Sequence, residues 1–148
     1  YPLRRQRQMC IRDRLNIVSA ESEIFSGDVK NLTASAEMGE VGIYPQHTPM
    51  ISPLKPGEVK VLSENDEELN FYISGGMLEV QPHIVTILAD TAMRGQDLDE
   101  AKALEAKKRA EEALKDQSDK IDSAKALAEL AQAAAQLKMI ENLRKTRK

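Results

Sequence analysis

Between Gly39 and Gly57 the chain reads GEVGIYPQHTPMISPLKPG, with Pro45, Pro49, Pro53 and Pro56 spaced three or four residues apart. Each proline removes a backbone donor and blocks the turn before it, so no helix can run through this segment. A central strand spanning all of it is excluded as well, because a strand interior has no place for a residue that cannot donate to the ladder. Short strands at Val41 to Ile43 and around Met50-Ile51, joined by a rigid exposed loop, are what remains.

The same grain continues on both sides. Phe71 to Asp90 reads FYISGGMLEVQPHIVTILAD, in which two apolar runs flank Gly75-Gly76 and a central Leu78-Glu79-Val80. These are successive strands broken by turns. Upstream, Leu15 and Ile17 begin a strand that shifts phase at Val18 and ends at Ser19-Ala20. Glu21 to Gly27 reads as a turn that folds Ile24 and Phe25 back onto the core. Val29, Leu32, Ala34 and Ala36 alternate imperfectly, as a strand with one wet face and a bulge would. Glu58 to Leu62 and Leu69 to Ile73 form a hairpin about Glu64-Asn65-Asp66. Strands this closely spaced leave no room for crossover helices, so an antiparallel sandwich or barrel is expected over residues 15–95.

After Gly95 the period changes to that of a helix. Asp97 is the expected cap, with Glu100 three residues on, and Leu98, Ala101, Leu104, Ala110, Ala113 and Leu114 as the inner stripe. A second helix runs from about Asp119 to Leu143, with Ile121, Ala124, Leu127, Leu130, Ala134, Leu137 and Ile140 along one face for roughly 30 Å. A short polar link makes the two an antiparallel hairpin over residues 96–148. Alanine fills much of the second helix. Its methyl contributes only about 0.8 kcal/mol on burial, against about 1.5–3 for a leucine, so the helices hold their own structure while attaching modestly to the sheet. Undocking without melting and a plain rigid cap are both compatible with that composition.

Charge narrows the functional classes. The net charge of −3 hides a basic opening, where Arg4, Arg5, Arg7, Arg12 and Arg14 face Asp13 alone. Residues 1–14 have no strand or helix period and read as a disordered or foreign leader; a nucleic-acid arm is the alternative, and no basic patch follows to support it. The single Cys10 excludes an internal disulfide and any multi-cysteine metal site. No run approaches the roughly 18 apolar residues needed to cross a bilayer.

Catalytic constellations are thin. His47 and His83, the two histidines, have no metal-ligand spacing and no identifiable nucleophile beside them. Ser74-Gly75-Gly76 lacks the lysine and following helix of a phosphate loop and reads as a bend. Glu37, Glu40 and His47 would make a polar docking rim if their loops are neighbours. Lys138, Arg144, Lys145, Arg147 and Lys148 make a basic terminus, suited either to the helix dipole or to an acidic surface or nucleotide phosphate.

The stretches IVSAESEIFSG (Ile17 to Gly27), GEVGIYPQHTPM (Gly39 to Met50), LKPG (Leu54 to Gly57), SGGMLEVQPHIVTILADTAMRGQDLDEA (Ser74 to Ala101) and AELAQAAAQLKMIENLRK (Ala128 to Lys145) resemble, in order, the epsilon subunit of bacterial F-type ATP synthase. The resemblance implies a flattened sandwich of about ten strands and an αα hairpin. It implies a non-catalytic central-stalk part that clamps the gamma subunit to the c ring through an edge holding Glu40 and His47. Its helices would extend along gamma to inhibit ATP hydrolysis, with Lys138, Arg144 and Lys145 meeting acidic segments of the alpha and beta subunits. It places the chain at the cytoplasmic face of the bacterial inner membrane as a peripheral subunit of a proton-translocating complex. Some relatives bind ATP through an Ile/Leu-Asp, two variable residues, Arg-Ala pattern. Ile121-Asp122-Ser123-Ala124-Lys125-Ala126 keeps the order with lysine for arginine, which loses the bidentate fork, so weak ATP contact at Asp122 and Lys125, or none, is implied, with no other cofactor. Gln46 stands where the family has glycine before the histidine, so the loop either bends differently or does without a positive φ. The competing reading is an independent sugar- or nucleotide-binding sandwich with a regulatory helical tail.

Overall fold

The computed structural model describes residues 13–115 and 120–146, the side chains of 120–122 excepted. Nine strands come first: β1 (Asp13–Ser19), β2 (Glu23–Ala36), β3 (Gly39–Ile43), β4 (Met50–Leu54), β5 (Gly57–Ser63), β6 (Glu68–Ile73), β7 (Gly76–Gln81), β8 (Ile84–Ala89) and β9 (Ala92–Arg94). A 3-10 turn at Gly95–Asp97 leads into α1 (Glu100–Lys115) and α2 (Lys120–Thr146).

The strands follow the order β1-β8-β7-β4-β2-β5-β6-β9, and β1 also pairs with β2, which folds the sheet over on itself into two layers. β2 serves in both. Its first half pairs with β1, its second half with β3 and β5, and Ala36 reaches Leu54 of β4. The register slips between Val29 and Asn31, where the strand passes from one layer to the other. The imperfect alternation of Val29, Leu32, Ala34 and Ala36 is this slip, and the expected phase change at Val18 is a second one, between Ile17 and Val18. The nine strands agree with the expected sandwich of about ten, and β2 stays continuous across both layers.

Three expectations are corrected. The sandwich is not wholly antiparallel: β1 and β8 run parallel, Arg14 opposite Ile84 through Ser19 opposite Ala89. No crossover helix is needed because nearly the whole domain lies between the two strands. The turn after β1 is shorter than Glu21 to Gly27, since Glu23 is already in β2. Asp13 and Arg14 also belong to β1 and not to the leader, residues 1–12 of which lie outside the described part.

Alternation fills the core. Val85, Ile87 and Ala89 of β8 point inward, as do Leu78 and Val80 of β7 and Val59 and Val61 of β5. Phe25 and Phe71 meet with ring centroids 5.5 Å apart and tilted by 56°. Gly75-Gly76 is the expected bend: Gly76 sits at φ 143°, and a Cβ there would lie 2.0 Å from the Leu88 carbonyl oxygen. Ser74 Oγ accepts the Thr91 N–H at 2.9 Å, a structural bond and not a phosphate contact.

Asp99, not Asp97, caps α1. Its Oδ1 accepts the N–H of Ala101 at 2.9 Å and of Lys102 at 3.5 Å, so Glu100 opens the helix and closes no reciprocal pair. The helix faces follow the expected stripes only in part. On α1 Ala110 is buried as expected, together with Ala103, while Leu104 is left 44% exposed. On α2 the buried residues are Ala126, Ala133 and Met139, whereas Ala124 and Ala134 are exposed and Leu127 is 55% exposed.

Candidate functional site

β6 explains where the helices go. Phe71, Tyr72 and Ile73 are consecutive and all buried, which a half-wet strand cannot do. Phe71 and Ile73 face the sandwich core, and Tyr72 points out of the sheet, opposite Glu58 of β5, beneath α2. Its hydroxyl donates to the Gln132 main-chain oxygen at 3.3 Å. Burial pushes the Tyr72 phenol up to about 12, against a smaller downward pull from a hydrogen bond with Gln136.

Two further contacts complete the docking. Met139 is buried beside Gly95, where a Cβ would come within 2.9 Å of its methyl carbon and 3.2 Å of the Asn70 carbonyl oxygen. Asn142 Nδ2 donates to Glu58 Oε2 at 3.4 Å. α2 thus packs on β5 and β6, while α1 packs on α2. A cleft of about 310 Å³ remains between the sandwich and α2, lined by Phe25, Leu69, Phe71, Arg94 and Leu143 among others.

The expected basic residues lie along α2. Lys138 is exposed, nearly two turns before Arg144 and Lys145. Lys145 Nζ pairs with Glu141 at 2.9 Å and holds that carboxyl below its ordinary range. Arg144 reaches across to α1, where its guanidinium forks onto both oxygens of Glu100, Nη1 to Oε1 at 3.3 Å.

Glu40 and His47 lie on different elements. Glu40 is exposed on β3 opposite Ser35, beside the turn at Gly39. His47 follows the other end of β3, in the loop before β4, where its Nδ1–H donates to the Thr48 carbonyl at 2.7 Å. With His83 it lies near Asp13, whose carboxyl burial holds above its ordinary value while the two histidines pull it down. Glu40 is thus carried by β3, which among the described strands pairs with β2 alone, and His47 by the loop that continues it. His83 occupies the β7–β8 turn at φ 74°. Gln46 does adopt a positive φ, 66°, so the loop keeps a left-handed bend without glycine.

The side chain of Asp122 lies outside the described residues, and Lys125 is exposed on α2. The same Asp, two residues, Lys-Ala order, here after leucine, recurs at Leu98-Asp99-Glu100-Ala101-Lys102-Ala103, where the chain enters α1. There Leu98 lines a second cleft, of about 150 Å³, with Ile140, Leu143 and Arg144. Among the described residues no cluster of His, Cys, Asp and Glu could hold a metal ion. None of their helices is long and apolar enough to cross a membrane.

Residues 14–95 match the family described as ATP synthase, Delta/Epsilon chain, beta-sandwich domain, and residues 96–141 match its long alpha-helix domain. The chain belongs to the ATP synthase delta/epsilon family. Among the members it resembles, the ATP synthase epsilon chain of Nitrosococcus oceani is 61% identical over 137 residues, 93% of this chain and 98% of the relative. ATP synthase epsilon chain 1 of Methylococcus capsulatus is 58% identical over 139 residues, 94% of this chain and 99% of the relative. The fold is also that of a chain in the Euglena gracilis mitochondrial ATP synthase (OSCP/F1/c-ring, rotational state 1), with a TM-score of 0.69 at 22% identity over 93% of this chain and 82% of that one. The family boundary at residues 95 and 96 falls on the turn where the sheet ends and the helices begin.

Proposed function

We propose that the chain is a non-catalytic central-stalk subunit of a proton-translocating ATP synthase, coupling the gamma subunit to the c ring and restraining ATP hydrolysis through its helices. The carrying observation is the division of labour in the fold. The sandwich closes its own core, and the helix pair rests on its outer face through Tyr72, Met139 and Asn142. A helix pair seated on the outer face can leave it without opening the sandwich core, and a regulatory arm requires two such positions separated by only a few kcal/mol. β3 with Glu40 at one end and the His47 loop beyond the other supplies the c-ring-facing edge. Lys138, Arg144 and Lys145 supply the charges for acidic segments of the alpha and beta subunits once α2 leaves the sandwich. The subunit is peripheral, held at the cytoplasmic face of the inner membrane by its partners.

Removal of residues 96–148 tests this. The truncated chain is expected to co-purify with gamma and the c ring while ATP hydrolysis by the complex rises. Loss of co-purification would instead support the independent sugar- or nucleotide-binding sandwich. A second reading, weak ATP binding, draws on Asp99 and Lys102 as much as on Asp122 and Lys125. A titration of the isolated chain with ATP, in which Lys102→Ala and Lys125→Ala are compared, separates the two stretches.

A further inference from the structure

One of the three cations that the proposed regulatory reading sends to an acidic partner, Arg144, already has an acid of its own chain. Arg144, in the last turn of α2, places both terminal nitrogens on the Glu100 carboxylate, in the first turn of α1. The pairing is possible because the two helices pack side by side and run antiparallel, which brings the end of one beside the start of the other. Its geometry is the fork-to-fork arrangement a planar guanidinium makes with a carboxylate. The acid three residues before it on its own helix, Glu141, is engaged by Lys145.

Resting on that reading, we infer that Glu100 is a built-in competitor for the acidic surface that would receive Arg144, so that the helices must part at their open end before the arm can inhibit. The first turn of α1 imitates the partner. An undocked but still paired hairpin presents a neutralised Arg144, whereas α2 separated from α1 presents a free guanidinium. The two steps are distinct because α2 holds the sandwich and α1 holds α2. Both side chains are partly exposed, Arg144 at 66% and Glu100 at 41%, so the pair is modest in strength and its loss shifts the closed-to-open ratio by about two- to fivefold. A gate of that size is easily reversed by a partner.

The test uses the full chain with Cys10 replaced by serine and nitroxides at exposed Ala101 and Ala134, so that pulsed dipolar spectroscopy reads the fraction of parted helices. Glu100→Gln and Arg144→Gln should each raise that fraction by about two- to fivefold, and the double variant no further, because both remove one interaction. The exchanged pair, Glu100→Arg with Arg144→Glu, should restore the closed fraction. In the assembled synthase Glu100→Gln should lower residual hydrolysis, while the exchanged pair should not inhibit. An unchanged fraction in either single variant, or a double variant whose shift is the product of the two singles, overturns the competitor. Unchanged hydrolysis on removal of residues 96–148 instead overturns the regulatory reading, with the spectroscopic result standing on its own.

Discussion

Tyr72 donates its phenolic hydrogen to the main-chain oxygen of Gln132, 60 residues further along the chain, at 3.3 Å. The bond joins the outer face of the sheet to the middle of α2. It also explains why a strand beneath the helices carries a tyrosine: the ring is buried under α2 and its one polar atom needs a partner there.

Tyr72→Phe should therefore loosen docking by about 0.5–1.5 kcal/mol without disturbing the sandwich. Amide exchange in α2 should quicken while β7 and β8 keep their protection. Equal acceleration in both would show that the helices and sheet open as one unit.

The same phenol makes docking sensitive to alkali. Its folded value of about 12 lies above the ordinary 10, so its contribution is complete below pH 10. It is lost as the pH rises towards 12, because only the undocked chain ionises freely in that interval. A phenolate titration followed by near-ultraviolet absorbance should show one late component, absent in Tyr72→Phe.

Met139→Ala should be the most damaging single change on α2. It empties a buried site against Gly95 and costs about 2–5 kcal/mol of docking. Thermal unfolding should separate into an early helix transition and a sandwich transition near its original temperature. A single shifted transition would contradict the independence of the two parts.

Gln46→Gly should stabilise the sandwich by about 0.5–1 kcal/mol. A non-glycine residue at φ 66° carries roughly 1–2 kcal/mol of strain, of which the greater freedom of glycine in the unfolded chain takes back part. Denaturant midpoints of the two proteins, compared at equal slope, measure the difference.

Gly76→Ala has no such relief. Its Cβ would meet backbone at 2.0 Å, with φ at 143°, so β7 and β8 must separate or the turn must rebuild. Circular dichroism should show loss of the sheet, and co-purification with gamma should be lost with it.

Much of the fold lies in local chemistry. The proline spacing from Pro45 to Pro56, the glycines at the bends and the change of period after Gly95 exclude helix from the first part and require it in the second, since donors, dihedrals and periodicity are properties of a few neighbouring residues. The family resemblance was legible for the same reason, carried by runs such as GEVGIYPQHTPM. Tertiary structure decided what depends on neighbours distant in sequence: that β1 lies parallel to β8, that Tyr72 lies beneath α2, and which helix faces are inner. Leucine stripes mark apolar surface, but which face is covered depends on how the helices pack, so Ala103, Ala110, Ala126 and Ala133 are buried while Leu104 and Leu127 stay exposed. The partnership of Arg144 with Glu100 belongs to that second class, because a charge shows its sign in the sequence and finds its partner only when two helices lie side by side.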